Sequence, residues 1–218
     1  YTETEINYLS NILNKHKHVH ILSDDIYEHI IYENFKFFTA AQIKELKNRT
    51  LTMNGVSKSY AMTGWRIGYA AGPKDIIKAM AKIQSQSTTN PSSISQAAAV
   101  EALNGKQDFI NERSKLFQQR RDFVLSNLKS IKGISCLKPE GAFYVFPNCN
   151  NLLGKKDING EILKTDNDFV ESLLDSQGIA VVQGSAFGLN GFFRISYATS
   201  MNNLKKAMEK IKIFCESL

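Results

Sequence analysis

The chain has 218 residues, a hydrophobic fraction of 43% and a formal net charge of +6. That hydrophobic fraction is ordinary for a globular protein, and no run approaches the roughly 18 apolar residues of a membrane span. The positive charge is spread along the chain without a basic block. This distribution argues against a nucleic-acid-binding protein and favours attraction for anionic small molecules.

Three cysteines, Cys136, Cys149 and Cys215, are far apart in the chain and odd in number. This usage fits reduced thiols in a cytoplasmic protein better than a disulfide framework. No targeting peptide is visible. The first residue is Tyr1, and it lies just before a predicted helix, so we expect the chain to be a segment of a longer protein.

The first elements place an acid at a strand end. Thr2 and Glu5 have the spacing of a capping box, and the apolar periodicity that follows predicts a helix over 2–17. Residues 18–22 are predicted as a short apolar strand. Asp24 then lies at the carboxyl end of this strand, where ligands of open α/β sheets bind.

Residues 40–104 alternate between helical and extended patterns. The predicted elements are a short helix over 40–47, strands over 50–53 and 65–71, a helix of about 15 residues from Pro73, and a helix ending at 103. The Asn104-Gly105-Lys106 sequence is typical of a helix stop and marks the best domain boundary. We therefore predict two domains, 1–104 and 105–218.

The second half begins with a long predicted helix over 108–131. Its wide apolar stripe suits an element that bridges two domains. The later predicted elements are strands over 134–137 and 142–146, a helix over 168–176, strands over 179–182 and 191–198, and a helix over 201–217. The first half thus predicts part of a mostly parallel α/β sheet with helices, and the second a smaller α+β unit.

Lys58 is the strongest candidate for a reactive residue. It lies in the sequence Asn54-Gly55-Val56-Ser57-Lys58-Ser59-Tyr60, directly after a predicted strand and among small residues. A lysine amine is mostly protonated at neutral pH and must lose its proton to attack a carbonyl group, which desolvation or a nearby cation such as Arg66 favours. The alternative is an ordinary surface lysine.

The sequence excludes a phosphate-binding loop at Lys58 and leaves a metal site at the histidines open. A phosphate-binding loop needs glycine directly before the lysine and again five residues earlier, and Ser57 and Thr52 occupy those positions. Alternating His16, His18 and His20 could contribute metal ligands together with Asp24 or Asp25, as in a metallohydrolase. Their ordinary interpretation is a helix end followed by strand residues.

Arg194 lies in the apolar sequence Gly191-Phe192-Phe193-Arg194-Ile195-Ser196-Tyr197. A buried arginine must be paired, so a structural salt bridge is one explanation. The other is a bidentate clamp on a ligand carboxylate, for which the guanidinium group is well shaped.

Three blocks of sequence together resemble a known family. The blocks are Ser23-Asp24-Asp25-Ile26-Tyr27-Glu28, Ser57-Lys58-Ser59-Tyr60-Ala61-Met62-Thr63-Gly64-Trp65-Arg66-Ile67-Gly68 and Phe193-Arg194-Ile195-Ser196-Tyr197-Ala198. In order and spacing they resemble the class I/II aminotransferases, fold-type I enzymes that use pyridoxal 5′-phosphate (PLP). The similarity is greatest to the bacterial aspartate aminotransferase branch, and it covers the carboxyl-terminal part of that family only.

The resemblance implies a role for five residues. Lys58 would bind PLP covalently and move the substrate proton, and Asp24 would pair with the pyridine nitrogen so that the ring can accept electrons. Tyr27 would donate a hydrogen bond to the phenolic oxygen of the ring. Arg66 would bind the cofactor phosphate, and Arg194 the substrate α-carboxylate.

This chain also departs from the family pattern. Gly55 stands where the family often has a serine, which puts one phosphate contact in question, and Asp25 stands where glutamate is common. The family's ring-stacking aromatic residue, further phosphate ligands and residues that reach a partner subunit belong to its amino-terminal half.

The resemblance implies ping-pong transfer of an amino group from an amino acid, with aspartate and 2-oxoglutarate as the expected pair, in a homodimer. Three alternatives stay open: another PLP-dependent reaction such as β-elimination, a non-catalytic fragment or binding module, and a metallohydrolase.

Overall fold

The structure is a computed structural model that describes all residues, 1–218. The chain forms two compact units, residues 1–114 and 115–218. The division lies within a long helix, later in the chain than the predicted boundary at Asn104. The resemblance also implies that 1–104 is part of a PLP-binding domain and that 105–218 is a small domain that begins with the long helix, and this assignment stays a prediction.

The first unit combines helices with one small sheet. Its helices are α1 (Glu3–Leu13), α2 (Lys44–Lys47), α3 (Lys74–Ser85), α4 (Ser93–Asn104) and the beginning of α5 (Asp108–Lys129). Its strands are β1 (Ile21–Asp24), β2 (Thr50–Gly55) and β3 (Gly68–Ala71).

The capping box at the start of α1 is confirmed. The Thr2 hydroxyl accepts a hydrogen bond from the Glu5 amide at 3.3 Å, and the Glu5 carboxylate accepts one from the Thr2 amide at 2.7 Å. The helix ends at Leu13, earlier than predicted. His16 and His18 consequently lie in turns before β1 and not on a strand face.

The sheet of the first unit has the order β1-β2-β3. Strands β1 and β2 are parallel, with Asp24 opposite Met53. Strand β3 is antiparallel to β2, with Gly68 opposite Gly55. The chain between β2 and β3 turns back without a crossover helix, which permits only the antiparallel arrangement.

Few side chains of the first unit are deeply buried. Val56, Ile67 and Ala99 form one small core cluster. Helix α3 has no buried residue, and its predicted apolar face is open, with Met80 41% and Ile83 72% exposed. The helical periodicity of α3 is therefore correct, but its apolar face is only partly covered, since Ile76 and Ile77 are half-buried whereas Met80 and Ile83 are exposed.

The second unit contains the end of α5, three short strands and two further helices. The remaining elements are β4 (Tyr144–Val145), α6 (Asp166–Gln177), β5 (Val182–Gln183), β6 (Phe193–Ser196) and α7 (Met201–Ser217). The sheet order is β4-β6-β5, and both pairings are antiparallel. The predicted strand over 134–137 is wrong, because only an isolated bridge joins Ser135 to Asn148.

The second unit has a dense aromatic core. The ring centroid of Phe169 lies 5.1 Å from that of Phe193 and 5.2 Å from that of Phe214, so α6, β6 and α7 meet at one point. All three rings are fully buried. Such burial stabilises a fold by about 1.5–3 kcal/mol for each large apolar side chain. No helix in either unit has the length and apolarity needed to span a membrane.

Candidate active site

The parallel pairing of β1 and β2 places two predicted site residues at one edge of the sheet. Asp24 is the last residue of β1, and Lys58 follows three residues after the end of β2. Carboxyl ends of parallel strands form the usual ligand site of an α/β sheet. Asp24, Lys58 and Arg66 line one pocket of about 520 Å³ here, together with residues that include Asn54, Ser57, Thr63 and Tyr69.

The loop that carries Lys58 is held from both sides. Val56 and Ser59 are buried, at 0% and 5% exposure, whereas Lys58 between them is only half-buried. Arg113 donates a hydrogen bond from Nη1 to the carbonyl oxygen of Ser59 at 3.2 Å. Anchoring of its neighbours fixes the backbone of Lys58 while the amine reaches the pocket. The Lys58 Nζ atom lies 5.9 Å from the ring centroid of Tyr27, so Tyr27, another predicted site residue, is adjacent to the lysine amine.

Arg66 has an unusual backbone conformation, with φ of 54° in the left-handed region. Its guanidinium donates from Nη1 to the carbonyl oxygen of Thr63 at 2.9 Å and is otherwise exposed. A non-glycine residue in this region costs energy and is often found at functional sites. Ser57 and Thr63, whose hydroxyl groups line the same pocket, were not predicted as site residues, although Ser57 directly precedes Lys58 and Thr63 lies three residues before Arg66.

Gly55 explains one departure from the family pattern. A Cβ atom at this position would lie 2.9 Å from the carbonyl oxygen of Ile67 and 3.1 Å from Cδ1 of Ile26. Any side chain at residue 55 would therefore require the facing strand or Ile26 to move. The serine that is common in the family does not fit this backbone without such a shift.

Tyr60, two residues after Lys58, is held in place by contacts with residues distant in the chain. Its hydroxyl donates to Oε1 of Gln107 at 3.0 Å, and its ring makes edge contacts with those of His29 and Phe109. Burial, and secondarily the charge of Glu28, raises the pKa of the Tyr60 hydroxyl. The hydroxyl thus stays protonated at neutral pH and remains a hydrogen-bond donor.

Arg194 belongs to the second unit and lies between two aromatic rings. Its guanidinium carbon is 4.5 Å from the ring centroid of Tyr144 and 4.5 Å from that of Phe187. The Arg194 guanidinium forms no ion pair with a carboxylate of this chain, so the structure does not support the structural salt bridge. Contacts of the guanidinium carbon with two aromatic rings leave its N–H donors available for a planar anion.

The cavity around Arg194 measures about 720 Å³ and is mostly apolar, with Phe146, Phe192 and Leu189 among its lining residues. Tyr144 and Phe187 were not predicted as neighbours of Arg194. The only sequence signal was the glycine-bounded segment Gly184-Ser185-Ala186-Phe187-Gly188, a pattern typical of a loop that lets a ligand approach the backbone.

The metal interpretation finds no geometric support. No group of three or more histidine, cysteine, aspartate or glutamate side chains is arranged to hold an ion. The rings of His16 and His18 instead contact each other edge to face, with centroids 6.1 Å apart.

The model of the family described as "Aminotransferase class I and II" matches residues 1–211. The chain belongs to the class I and II aminotransferases. Members of this family use PLP. The resemblance to this family and the predicted fold class are thereby confirmed.

Similar proteins and structures support the assignment. The "Aspartate aminotransferase" of Rhizobium meliloti (strain 1021) is 57% identical over the whole chain, which covers 53% of that relative. A "Probable aspartate/prephenate aminotransferase" of Rickettsia felis is 54% identical, again over the whole chain and 54% of the relative. A crystal structure of the Rhizobium meliloti aspartate aminotransferase matches with a TM-score of 0.97 at 57% identity, covering all of this chain and 55% of that one. The chain thus spans about half the length of the curated relatives that it matches.

Proposed function

We propose that this chain supplies the reactive lysine, the ring-nitrogen acid and two anion anchors of a PLP-dependent aminotransferase. The proposed reaction moves an amino group from an amino acid, with aspartate as the expected donor, to a 2-oxo acid, with 2-oxoglutarate as the expected acceptor. The observation that carries the proposal is the single pocket lined by Asp24, Lys58 and Arg66.

The donor set of this pocket fits PLP. The cofactor has a cationic ring nitrogen, a phosphate and an aldehyde, and the pocket offers an acid, a guanidinium and an amine for these three groups. When bound, PLP supplies an electron sink for the negative charge that develops on the substrate α-carbon. In this proposal the Asp24 carboxylate keeps a proton on the pyridine nitrogen, and Arg66 binds the phosphate.

The remaining residues act on the substrate and the ring oxygen. Lys58 Nζ would take the proton from the substrate α-carbon as a general base, and the resulting ammonium would deliver that proton to C4′ of the cofactor as a general acid. Tyr27 donates a hydrogen bond to the phenolic oxygen of the ring. Arg194 binds the α-carboxylate in the plane between the rings of Tyr144 and Phe187.

Two further proposals concern the whole protein. We propose a homodimer, in line with the family resemblance. We also propose a cytoplasmic location, because all three cysteines are free thiols, as expected in a reducing compartment.

The test uses the full-length protein and a matched pair of substitutions. We expect Lys58→Ala to abolish the visible absorption of lysine-bound PLP and to lower amino transfer by at least about 1,000-fold. Lys47→Ala, which removes an exposed lysine outside the pocket, should leave both unchanged. Full turnover by Lys58→Ala would refute the assignment of the lysine. Release of ammonia and pyruvate when no 2-oxo acid acceptor has been added would instead indicate β-elimination.

A further inference from the structure

Asp166 is a buried carboxylate with no role in the function proposed above. It is the first residue of α6 and is 2% exposed. A charged group buried to this extent destabilises a fold unless hydrogen bonds compensate for the lost water. The groups that compensate therefore indicate what the carboxylate does.

Both oxygens of Asp166 bind the backbone of one loop. Oδ2 accepts a hydrogen bond from the Ser185 amide at 2.7 Å, and Oδ1 accepts one from the Gly191 amide at 3.4 Å. Burial raises the pKa of the Asp166 carboxyl, but the hydrogen bonds from Ser185 and Gly191 outweigh it, so the pKa lies below its ordinary value. The group is ionised at neutral pH, as an acceptor of two N–H donors must be.

The two bonds close a loop between residues 184 and 191. Within it, the Gly184 amide donates to the carbonyl oxygen of Phe192 at 2.7 Å, and the Leu189 amide donates to that of Gly184 at 3.1 Å. Asp166 thus binds one amide near the start of the loop and one at its end. Removing the carboxylate would leave two amide donors without their acceptor, which favours opening of the loop.

The loop carries one wall of the Arg194 site. Phe187 lies at its centre, and its ring covers one face of the Arg194 guanidinium. Tyr144, on the other face, belongs to β4 and is held by strand pairing with β6. Phe187 belongs to no strand: its ring has one edge-to-face contact with Phe146, at 6.0 Å between centroids, and its backbone belongs to the loop that Asp166 anchors.

We propose that Asp166 is a positioning residue for carboxylate binding: by tying both ends of the 184–191 loop, it holds Phe187 against Arg194 and fixes the plane of the guanidinium. This inference rests on the proposed role of Arg194 in the aminotransferase function. Asp166 itself touches no substrate, and it acts through Phe187.

Asp168 provides a matched control two residues along the same helix. Its Oδ2 atom also accepts two backbone hydrogen bonds, from the amides of Lys164 and Thr165 at 2.9 Å each. These bonds cap the helix and do not reach the loop. Asp168→Asn therefore makes the same chemical change as Asp166→Asn and separates a loss of helix capping from a loss of loop anchoring.

The experiment measures binding of maleate, a non-reactive dicarboxylate, to the full-length PLP-loaded protein by calorimetry. Asp166→Asn keeps the side-chain shape but turns an NH₂ group towards one of the two amide donors. We expect it to weaken maleate binding about tenfold, Phe187→Leu to weaken it similarly, and Asp168→Asn to leave it within about twofold. The Asp166→Asn/Phe187→Leu double variant should bind maleate about tenfold more weakly than the wild type, as each single variant does, because both changes remove the same contact.

Hydrogen exchange gives a readout that does not depend on binding. Amides in residues 184–192 should exchange at least about tenfold faster in Asp166→Asn than in Asp168→Asn. Unchanged maleate affinity in Asp166→Asn, or multiplicative losses of about a hundredfold in the double variant, would overturn the inference. Maleate binding without any amino transfer would overturn only the proposed function. A wild-type protein that binds no maleate would overturn both.

Discussion

The two units hold their charged site residues in different ways. In the first unit, Asp24 and Arg66 are exposed at the edge of a thin sheet, and Arg66 depends on a left-handed backbone conformation. In the second unit, Arg194 is held between two aromatic rings above a dense core. The first site thus takes its geometry from strand ends and a tight loop, and the second takes it from packing.

This contrast indicates where the chain is rigid. Packing involves many contacts that are lost together, whereas an exposed helix or loop can open alone. Four predictions test the comparison, from the largest expected effect to the smallest.

The largest expected difference is in backbone protection. Helix α3 has no buried residue, whereas α7 buries Leu204, Met208, Ile211, Phe214 and Cys215. In the 218-residue chain, we expect the central amides of α7 to exchange about 1,000-fold more slowly than those of α3, or about 4 kcal/mol in opening free energy. Mass-spectrometric hydrogen exchange measures both. Equal protection of the two helices would contradict the comparison.

Alkaline pH should selectively weaken the second unit. Burial raises the pKa of the Cys149 and Cys215 thiols to about 12, with the charges of Asp166 and of Cys149 as the respective secondary causes. An unfolded thiol ionises near pH 8.5. Between about pH 9 and 12 the unfolded state therefore binds fewer protons than the folded state, so stability falls as pH rises, by up to about 1.4 kcal/mol per pH unit for each thiol.

Cys149→Ala isolates the contribution of one thiol. Other alkaline titrations are common to the wild type and the variant. The free energy of unfolding of the variant should therefore fall less steeply with pH, by up to about 1.4 kcal/mol per pH unit. Urea unfolding followed by circular dichroism at each pH measures this slope. Identical slopes would show that the Cys149 thiol does not resist ionisation in the fold.

Two glycines of the second unit should differ in their tolerance of a side chain. Gly188 and Gly191 both have positive φ, 79° and 75°, but a Cβ atom would meet nothing at Gly188 and would collide with the Asn150 side chain at Gly191. We expect Gly188→Ala to cost about 1 kcal/mol and Gly191→Ala about 3 kcal/mol, since backbone strain and overpacking add. Exchange of α7 amides reports the stability of this unit. Equal costs would mean that Asn150 moves aside without loss.

The smallest expected effect is the loss of a helix N-cap, a motif that occurs once in each unit. Thr2 caps α1 and Thr165 caps α6, each in a capping box. Helix α6 buries four residues and α1 only Ser10, so fraying of α6 disturbs a core and fraying of α1 does not. We expect Thr165→Ala to cost the second unit about 1 kcal/mol and Thr2→Ala to leave both units within about 0.3 kcal/mol. A global loss in Thr2→Ala would show that α1 is packed more firmly than its exposure indicates.

Local sequence signals predicted much of the fold correctly. The capping box of α1, helices α4 and α7, strand β2 and the position of Asp24 at the end of β1 all follow from residues close together in the chain. Lys58, Asp24, Tyr27 and Arg66 were also proposed from sequence. The parallel pairing of β1 and β2 then explains why residues on separate strands share one edge.

Contacts between distant parts of the chain decided what the sequence could not. The direction of β3, the open face of α3 and the lack of space at Gly55 depend on which segments meet. Arg194 was recognised as a possible clamp, yet only folding placed Tyr144 and Phe187 on its two faces. Asp166 lay outside the helix predicted over 168–176, and its hydrogen bonds to Ser185 and Gly191 join residues 19 and 25 positions apart in the chain, which no local pattern reveals. The sequence by itself determined the chemistry of the charged groups, and the tertiary structure decided what holds each of them in place.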